Sequence, residues 1–128
     1  MCAVVEPTLI RVPQNTVIMR DSKVIIECSS DVAGSYITWF NQLCDSYITD
    51  SAVCPRMYNG YKIAESVPSR FIVTGVNNAT HVTRNVNINS TQLSDAGVYV
   101  CVEIIMGQGV QQTSSAQLVV VGNNSMRV

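Results

Sequence analysis

The sequence carries little with which to do chemistry. Histidine occurs once, at His81, and none of the five cysteines (Cys2, Cys28, Cys44, Cys54 and Cys101) stands in a Cys-x-x-Cys pair. A four-ligand zinc site, which needs clustered thiolates and imidazoles, has no support. Hydrolysis asks for a nucleophile, a base and an orienting group, and His81 falls in a predicted strand beside a turn with no evident partner. No enzymatic activity, metal or cofactor is therefore expected. Cys2 is terminal and lacks a basic neighbour to activate it, so an interchain or unpaired cysteine is expected there rather than a reactive thiol.

Charge is scarce as well. Only 13% of the residues are charged, and the formal net charge is -1. There is no basic field to recruit phosphates and no Lys/Arg cluster interleaved with aromatics, which argues against a nucleic-acid partner. No apolar run approaches the roughly 20 residues of a membrane span. The N-terminus lacks the charged-then-apolar layout of a signal peptide, so any export or anchoring signal is expected outside this segment.

What is present is a chain of 128 residues, 47% of them hydrophobic. That length fits one domain able to bury roughly two-thirds of its unfolded surface. With so few charges, solubility rests on Ser, Thr, Asn and Gln, a balance typical of extracellular β-proteins. Short apolar stretches with a two-residue period recur throughout, broken by Pro, Gly, Asn and Asp, and no helical stripe persists. An all-β fold follows. The predicted strands cover 8–12, 16–19, 23–29, 36–42, 61–64, 70–74, 82–88, 98–104 and 113–121. The polar ending "GNNSMRV" loses the period, so the domain is assigned to 1–122 and a linker or tail to 123–128.

Five cysteines in an oxidising compartment divide most simply into two internal bridges and one left over, for which Cys2 is the candidate. Side chains two apart on a strand share a face. In "VIIECSS", Val24, Ile26 and Cys28 point one way; in "YITWFNQ", Ile37 and Trp39 do, leaving Thr38, Phe40 and Gln42 opposite. In "VYVC", Tyr99 and Cys101 share a face, leaving Val98, Val100 and Val102 on the other. Two cysteines and a tryptophan would meet in one interior.

Trp39 lies eleven residues after Cys28, Cys101 lies 73 after it, and "DAGVYVC" precedes that second cysteine. This pattern resembles the immunoglobulin V-set, and the likeness spans essentially the whole chain. It implies a Greek-key β-sandwich of variable type, with a bridge Cys28–Cys101 worth about 4 kcal/mol on the chain-entropy account. Tyr99 matches the tyrosine corner. "VPSRF" matches the start of strand D, which pairs Arg70 with Asp95. Gly97 gives the backbone room where it re-enters the sheet. Val86 and Ile88 fall at inward positions of strand E, with Leu93 as a third core residue. The long interval between the cysteines leaves room for extra C′ and C″ strands.

Two features depart from the family pattern. Cys44 and Cys54 have no counterpart in it; a bridge between them would be worth nearer 3 kcal/mol, either stiffening a surface excursion or shaping a binding edge. "MGQG" puts Met106 where antigen receptors carry the aromatic of their joining segment, and Gly107 and Gly109 suit a tight F–G turn. The resemblance therefore points to V-type immune receptors of a germline-encoded kind, such as an early-chordate or invertebrate member.

An immunoglobulin scaffold acts through its surfaces. Phe40, Gln42, Val98, Val100 and Val102 face away from the core on the sheet of strands G, F and C, and Ile104, Met106 and Val110 extend that character into the F–G hairpin. An exposed apolar patch there would mark an interface, with a protein ligand, a second V domain or a homodimer as the partner. The alternative is that Gln42, Glu103 and the C′ strand cover these positions. Three sequons, at Asn78, Asn89 and Asn123, suit glycosylation in the secretory pathway, the first two on the opposite sheet. The expected role is an extracellular recognition domain of a cell-surface or secreted immune-type receptor. Cell adhesion through the same sheet, or a structural spacer in a larger ectodomain, are the competing readings.

Overall fold

The computed structural model describes residues 8–48 and 51–122. Ten strands follow one another: β1 (Leu9–Arg11), β2 (Thr16–Met19), β3 (Val24–Ile26), β4 (Ser29–Ser30), β5 (Ser35–Phe40), β6 (Phe71–Thr74), β7 (Val82–Thr83), β8 (Asn85–Ile88), β9 (Gly97–Ile105) and β10 (Gly109–Val121). One turn of 3-10 helix, Leu93–Asp95, is the helical element among the described residues.

The strands form two facing layers. One is the sheet β2-β10-β9-β5, in which β2 runs parallel to β10 and the other pairs are antiparallel. The opposite layer consists of β3-β8-β6 and its continuation β1-β4-β7. The predicted strand 23–29 is thus interrupted between β3 and β4, and 82–88 between β7 and β8. At the interruption the Cys28 amide donates to the Asn85 side-chain oxygen at 3.2 Å, and the Arg84 amide donates to the Cys28 carbonyl at 3.0 Å. A side chain takes over from the backbone ladder there. Gly75, just past β6, permits a close approach: a Cβ on it would lie 1.8 Å from the Thr83 carbonyl oxygen.

Alternation decides which side chains fill the space between the layers. Val24, Ile26, Ile37, Trp39, Phe71, Val86, Ile88, Tyr99 and Leu118 are all buried in one cluster that also holds Cys28 and Cys101. Leu93 is corrected: it lies outside this core and is about half exposed, because the helical turn directs it outward.

The expected strand 61–64 and the extra C′ and C″ strands are also corrected. Between Phe40 and Phe71 the described chain makes only isolated bridges, Trp39 with Tyr58 and Tyr58 with Ile63. Residues 41–48 and 51–56, broken by Pro55 and tied by two cysteines, form an irregular strap instead.

Candidate functional site

The centre of the sandwich is a cross-link between layers. Cys28 and Cys101 are bonded, with their Cα atoms 6.4 Å apart, and both are fully buried beside the fully buried Trp39. The indole Nε1 donates to the Arg84 carbonyl at 3.0 Å, so the ring's one polar atom is satisfied inside.

A second constellation closes the lower end. Arg70 grips Asp95 with two parallel bonds, Nε to Oδ2 at 2.9 Å and Nη2 to Oδ1 at 2.5 Å. Such a fork suits guanidinium and carboxylate geometry. The hydrogen bonding that Arg70 donates to Asp95 is the main cause raising the Arg70 pKa. Asp95 also accepts from the Gln92 amide at 2.8 Å, and its own carbonyl accepts the Tyr99 hydroxyl at 2.6 Å. Burial, reinforced by the Asp95 charge, pushes the Tyr99 pKa above its ordinary value. Gly97 follows with φ 141°, where a Cβ would meet nothing within 4 Å. Its requirement is conformational rather than the steric room anticipated for it.

The outer face of the β2-β10-β9-β5 sheet carries the residues expected to form an interface. Parity places them as anticipated, but the open apolar patch is corrected. Phe40 and Val102 are 0% exposed, Val100 and Ile104 are also buried, and Val98 and Val110 are half-buried against the same cluster. The cover is the strap, which lays Cys44, Tyr47 and Cys54 on that face. The Tyr47 ring meets Phe40 edge-on with centroids 4.9 Å apart. Cys44 and Cys54 are bonded, Cα to Cα 6.1 Å. Thr38, at the centre of the covered face, keeps a buried hydroxyl for which no hydrogen-bond partner is described.

Neither of the two side chains weighed as cover does that work. Gln42 is exposed and donates to the Val53 carbonyl at 2.9 Å. Glu103 shares the parity of Cys101 and lies inside at 0% exposure, accepting hydrogen bonds from the Thr8 and Ser30 hydroxyls. Ser35 donates to Ser30 at 3.2 Å and extends the network. Gln112, opposite Glu103 at a bulge in β10, accepts from the Thr8 and Leu9 amides at 3.1 and 2.9 Å. This polar network holds β1 and β4 to β9 and was missed; the period-two alternation that put Cys101 inside was the signal for it.

With the face over β5 and β9 covered, the exposed apolar side chains there belong to the strap and the F–G hairpin, while Val17, Met19 and Val119 are exposed farther along the sheet on β2 and β10. Leu43 is 67% exposed, Val53 86%, Ile48 54% and Met106 72%. Ile48 reaches the hairpin: a Cβ on Gly109 would touch its Cδ1 at 3.4 Å. Tyr61, exposed, stacks on Tyr36 of β5 at 6.3 Å.

Asn78 and Asn89 are exposed on the other layer, at the β6–β7 turn and the end of β8. The Asn78 side-chain oxygen accepts from the Thr80 and His81 amides at 2.9 and 2.8 Å, and the His81 ring contacts the Thr80 hydroxyl. Thr91, the hydroxyl residue of the Asn89 sequon, is buried and donates to Met19 and Ser22 carbonyls at 3.1 and 3.0 Å. Cys2, Asn123 and the tail lie outside the described residues. Among the described residues, no helix is long and apolar enough to cross a membrane, and no group of three or more His, Cys, Asp or Glu is placed to hold a metal ion.

Comparison with known proteins agrees with this architecture. The RIG-5 IG1 homodimer superposes with a TM-score of 0.66 at 15% identity, over 91% of this chain and 99% of that one. The titin fragment I67–I69 gives 0.62 at 20% identity over 94% of this chain, which spans only 34% of the fragment. The Ig-like domain of human leucine-rich repeat-containing protein 4 gives 0.57 at 19% identity, over 95% and 94% of the two chains. At these identities the likeness is one of fold. The immunoglobulin V-set domain family matches residues 11–121. With the buried bridge, the tryptophan and the tyrosine corner in place, the chain belongs to the immunoglobulin V-set domain family.

Proposed function

We propose that the chain is an extracellular recognition domain of an immune-type cell-surface or secreted receptor, binding a protein partner or a second copy of itself. The observation that carries this reading is the group Leu43, Ile48, Val53 and Met106, four exposed apolar side chains on one side of the sandwich. Exposed apolar groups held on a rigid scaffold mark interaction surfaces. The contact surface is therefore the outside of the strap and the F–G hairpin, not the covered valines beneath. An adhesion role would use the same surface.

Two disulfides support an oxidising, extracellular setting. The sequons at Asn78 and Asn89 lie on the opposite layer, so glycans there would leave the strap accessible; a glycan at Asn123 would sit on the tail. The RIG-5 IG1 homodimer, similar in fold, is consistent with self-pairing of such domains.

A fluorescent tetramer of the domain tests the reading on cells displaying candidate partners, with sedimentation velocity over a concentration series testing self-pairing. Val53→Asp and Met106→Asp should each reduce binding by about tenfold or more, the effect of losing one buried apolar anchor. Val17→Asp, on the distant β2 edge, should change nothing. Equal binding by all three would overturn the assignment.

One observation favours a spacer role as a second reading. Val17, Met19 and Val119 are exposed together on the paired strands β2 and β10, close to where the chain leaves the sandwich. A neighbouring domain packed there would be stabilised by them, and Val17→Asp would then loosen a two-domain fragment without touching ligand binding.

A further inference from the structure

Disulfide reduction begins when a thiolate reaches one of the two sulfurs, so access separates one bridge from another. Here the two bridges differ sharply. Cys28 and Cys101 are each 0% exposed between the layers. Cys44 is only half-buried, and a cleft of about 320 Å³ is lined by both Cys44 and Cys54 together with Leu43 and Val53.

Besides the bridge, the described residues of the strap are held by local hydrogen bonds and by apolar contact with the sheet. Hydrogen bonds within its described residues include Cys44 amide to Tyr47 Oη at 2.9 Å, Ile48 amide to Ser46 Oγ at 3.5 Å, Cys54 amide to Ser51 Oγ at 3.0 Å, Gln42 Nε2 to the Val53 carbonyl at 2.9 Å, and Arg56 Nη2 to the Ile48 carbonyl at 2.8 Å. Against the sheet it makes apolar contact through Cys44, Tyr47 and Cys54. Two of those three anchors are the bridge itself.

We propose that Cys44–Cys54 is a redox-sensitive latch. Its reduction by a dithiol releases the strap and uncovers Phe40, Val100, Val102 and Ile104, while Cys28–Cys101 and the sandwich stay intact. The thiolate of the dithiol attacks the accessible Cys44 sulfur and expels Cys54 as thiolate. The second thiol then attacks the reagent's own sulfur in the mixed disulfide and releases Cys44. Two electrons and two protons pass to the cysteines, and the dithiol leaves as a cyclic disulfide. The latch does not depend on the recognition reading, since it concerns the face beneath the strap and not the ligand above it.

The test titrates the disulfide-bonded protein with dithiothreitol, traps thiols with iodoacetamide and maps the alkylated peptides, while following the dye ANS and the Trp39 emission. Cys44 and Cys54 should be alkylated at about tenfold lower dithiothreitol than Cys28 and Cys101, as expected for a bridge with one half-buried sulfur against one wholly buried. ANS emission should rise over that range while the Trp39 emission keeps its buried wavelength. Alkylation of all four cysteines together, or selective alkylation without an ANS rise, overturns the proposal. The double variant Cys44→Ser with Cys54→Ser should bind ANS without reductant and show no further rise before the core bridge opens. A folded variant that leaves ANS dark also overturns it, and if that variant fails to fold, the wild-type titration decides.

Discussion

Tyr99 shows how much one buried hydroxyl can decide. Because burial raises its pKa, the folded protein holds this proton more tightly than the unfolded chain. Its contribution is complete below about pH 10, the unfolded value, and is lost as pH rises from there toward the folded value, at up to about 1.4 kcal/mol per pH unit. Tyr99→Phe should cost about 1–2 kcal/mol at neutral pH, since it leaves the Asp95 carbonyl without its donor. In urea unfolding curves the gap to wild type should narrow above pH 10; a gap independent of pH would contradict the assignment. Residues of this kind were legible because the family pattern ties their roles to short offsets: Tyr99 two before Cys101, Asp95 four before Tyr99. Leu93 was misplaced because the resemblance carried it into the core, whereas the helical turn Leu93–Asp95 leaves it half exposed.

At the scale of elements, the Glu103 network does the work of an additional strand pairing. It joins β1 and β4 to β9 through hydroxyls and a carboxylate, at an end of the sandwich where β1 pairs with β4 at only two positions. Glu103→Ala should cost about 3 kcal/mol by orphaning the Thr8 and Ser30 hydroxyls. Hydrogen exchange should then accelerate at Leu9 and Arg11 well before it does in β9; uniform acceleration would mean the network supports the whole core instead. The strands themselves were legible from alternation, apart from the breaks at Cys28 and Arg84, where the Asn85 side chain replaces a backbone partner. The strap was not legible as a cover. Its apolar anchors, Cys44, Tyr47 and Cys54, are spaced without period, and their placement on Phe40 and Val100 is set by tertiary packing. The surplus of apolar side chains on the outer face was the available clue that something must lie over it.

For the whole molecule, the bridge Cys28–Cys101 spans 73 residues and joins the two layers at their fully buried centre. Replacing both cysteines by alanine should lower stability by about 4 kcal/mol, a large share of the 5–15 kcal/mol typical of a domain. Thermal unfolding followed at Trp39 measures it, and a loss no greater than that from opening Cys44–Cys54 would show that the core bridge is not the main staple. The architecture was legible because composition, alternation and cysteine spacing agreed; which surface is open depended on a segment without periodicity. The parallel pairing of β2 with β10 has a mechanical consequence. The chain enters β2 at Thr16 and leaves β10 at Val121, with Thr16 opposite Leu118 and Met19 opposite Val121. Tension applied between the two ends would load these rungs side by side in shear, so the domain would resist stretching until they fail together.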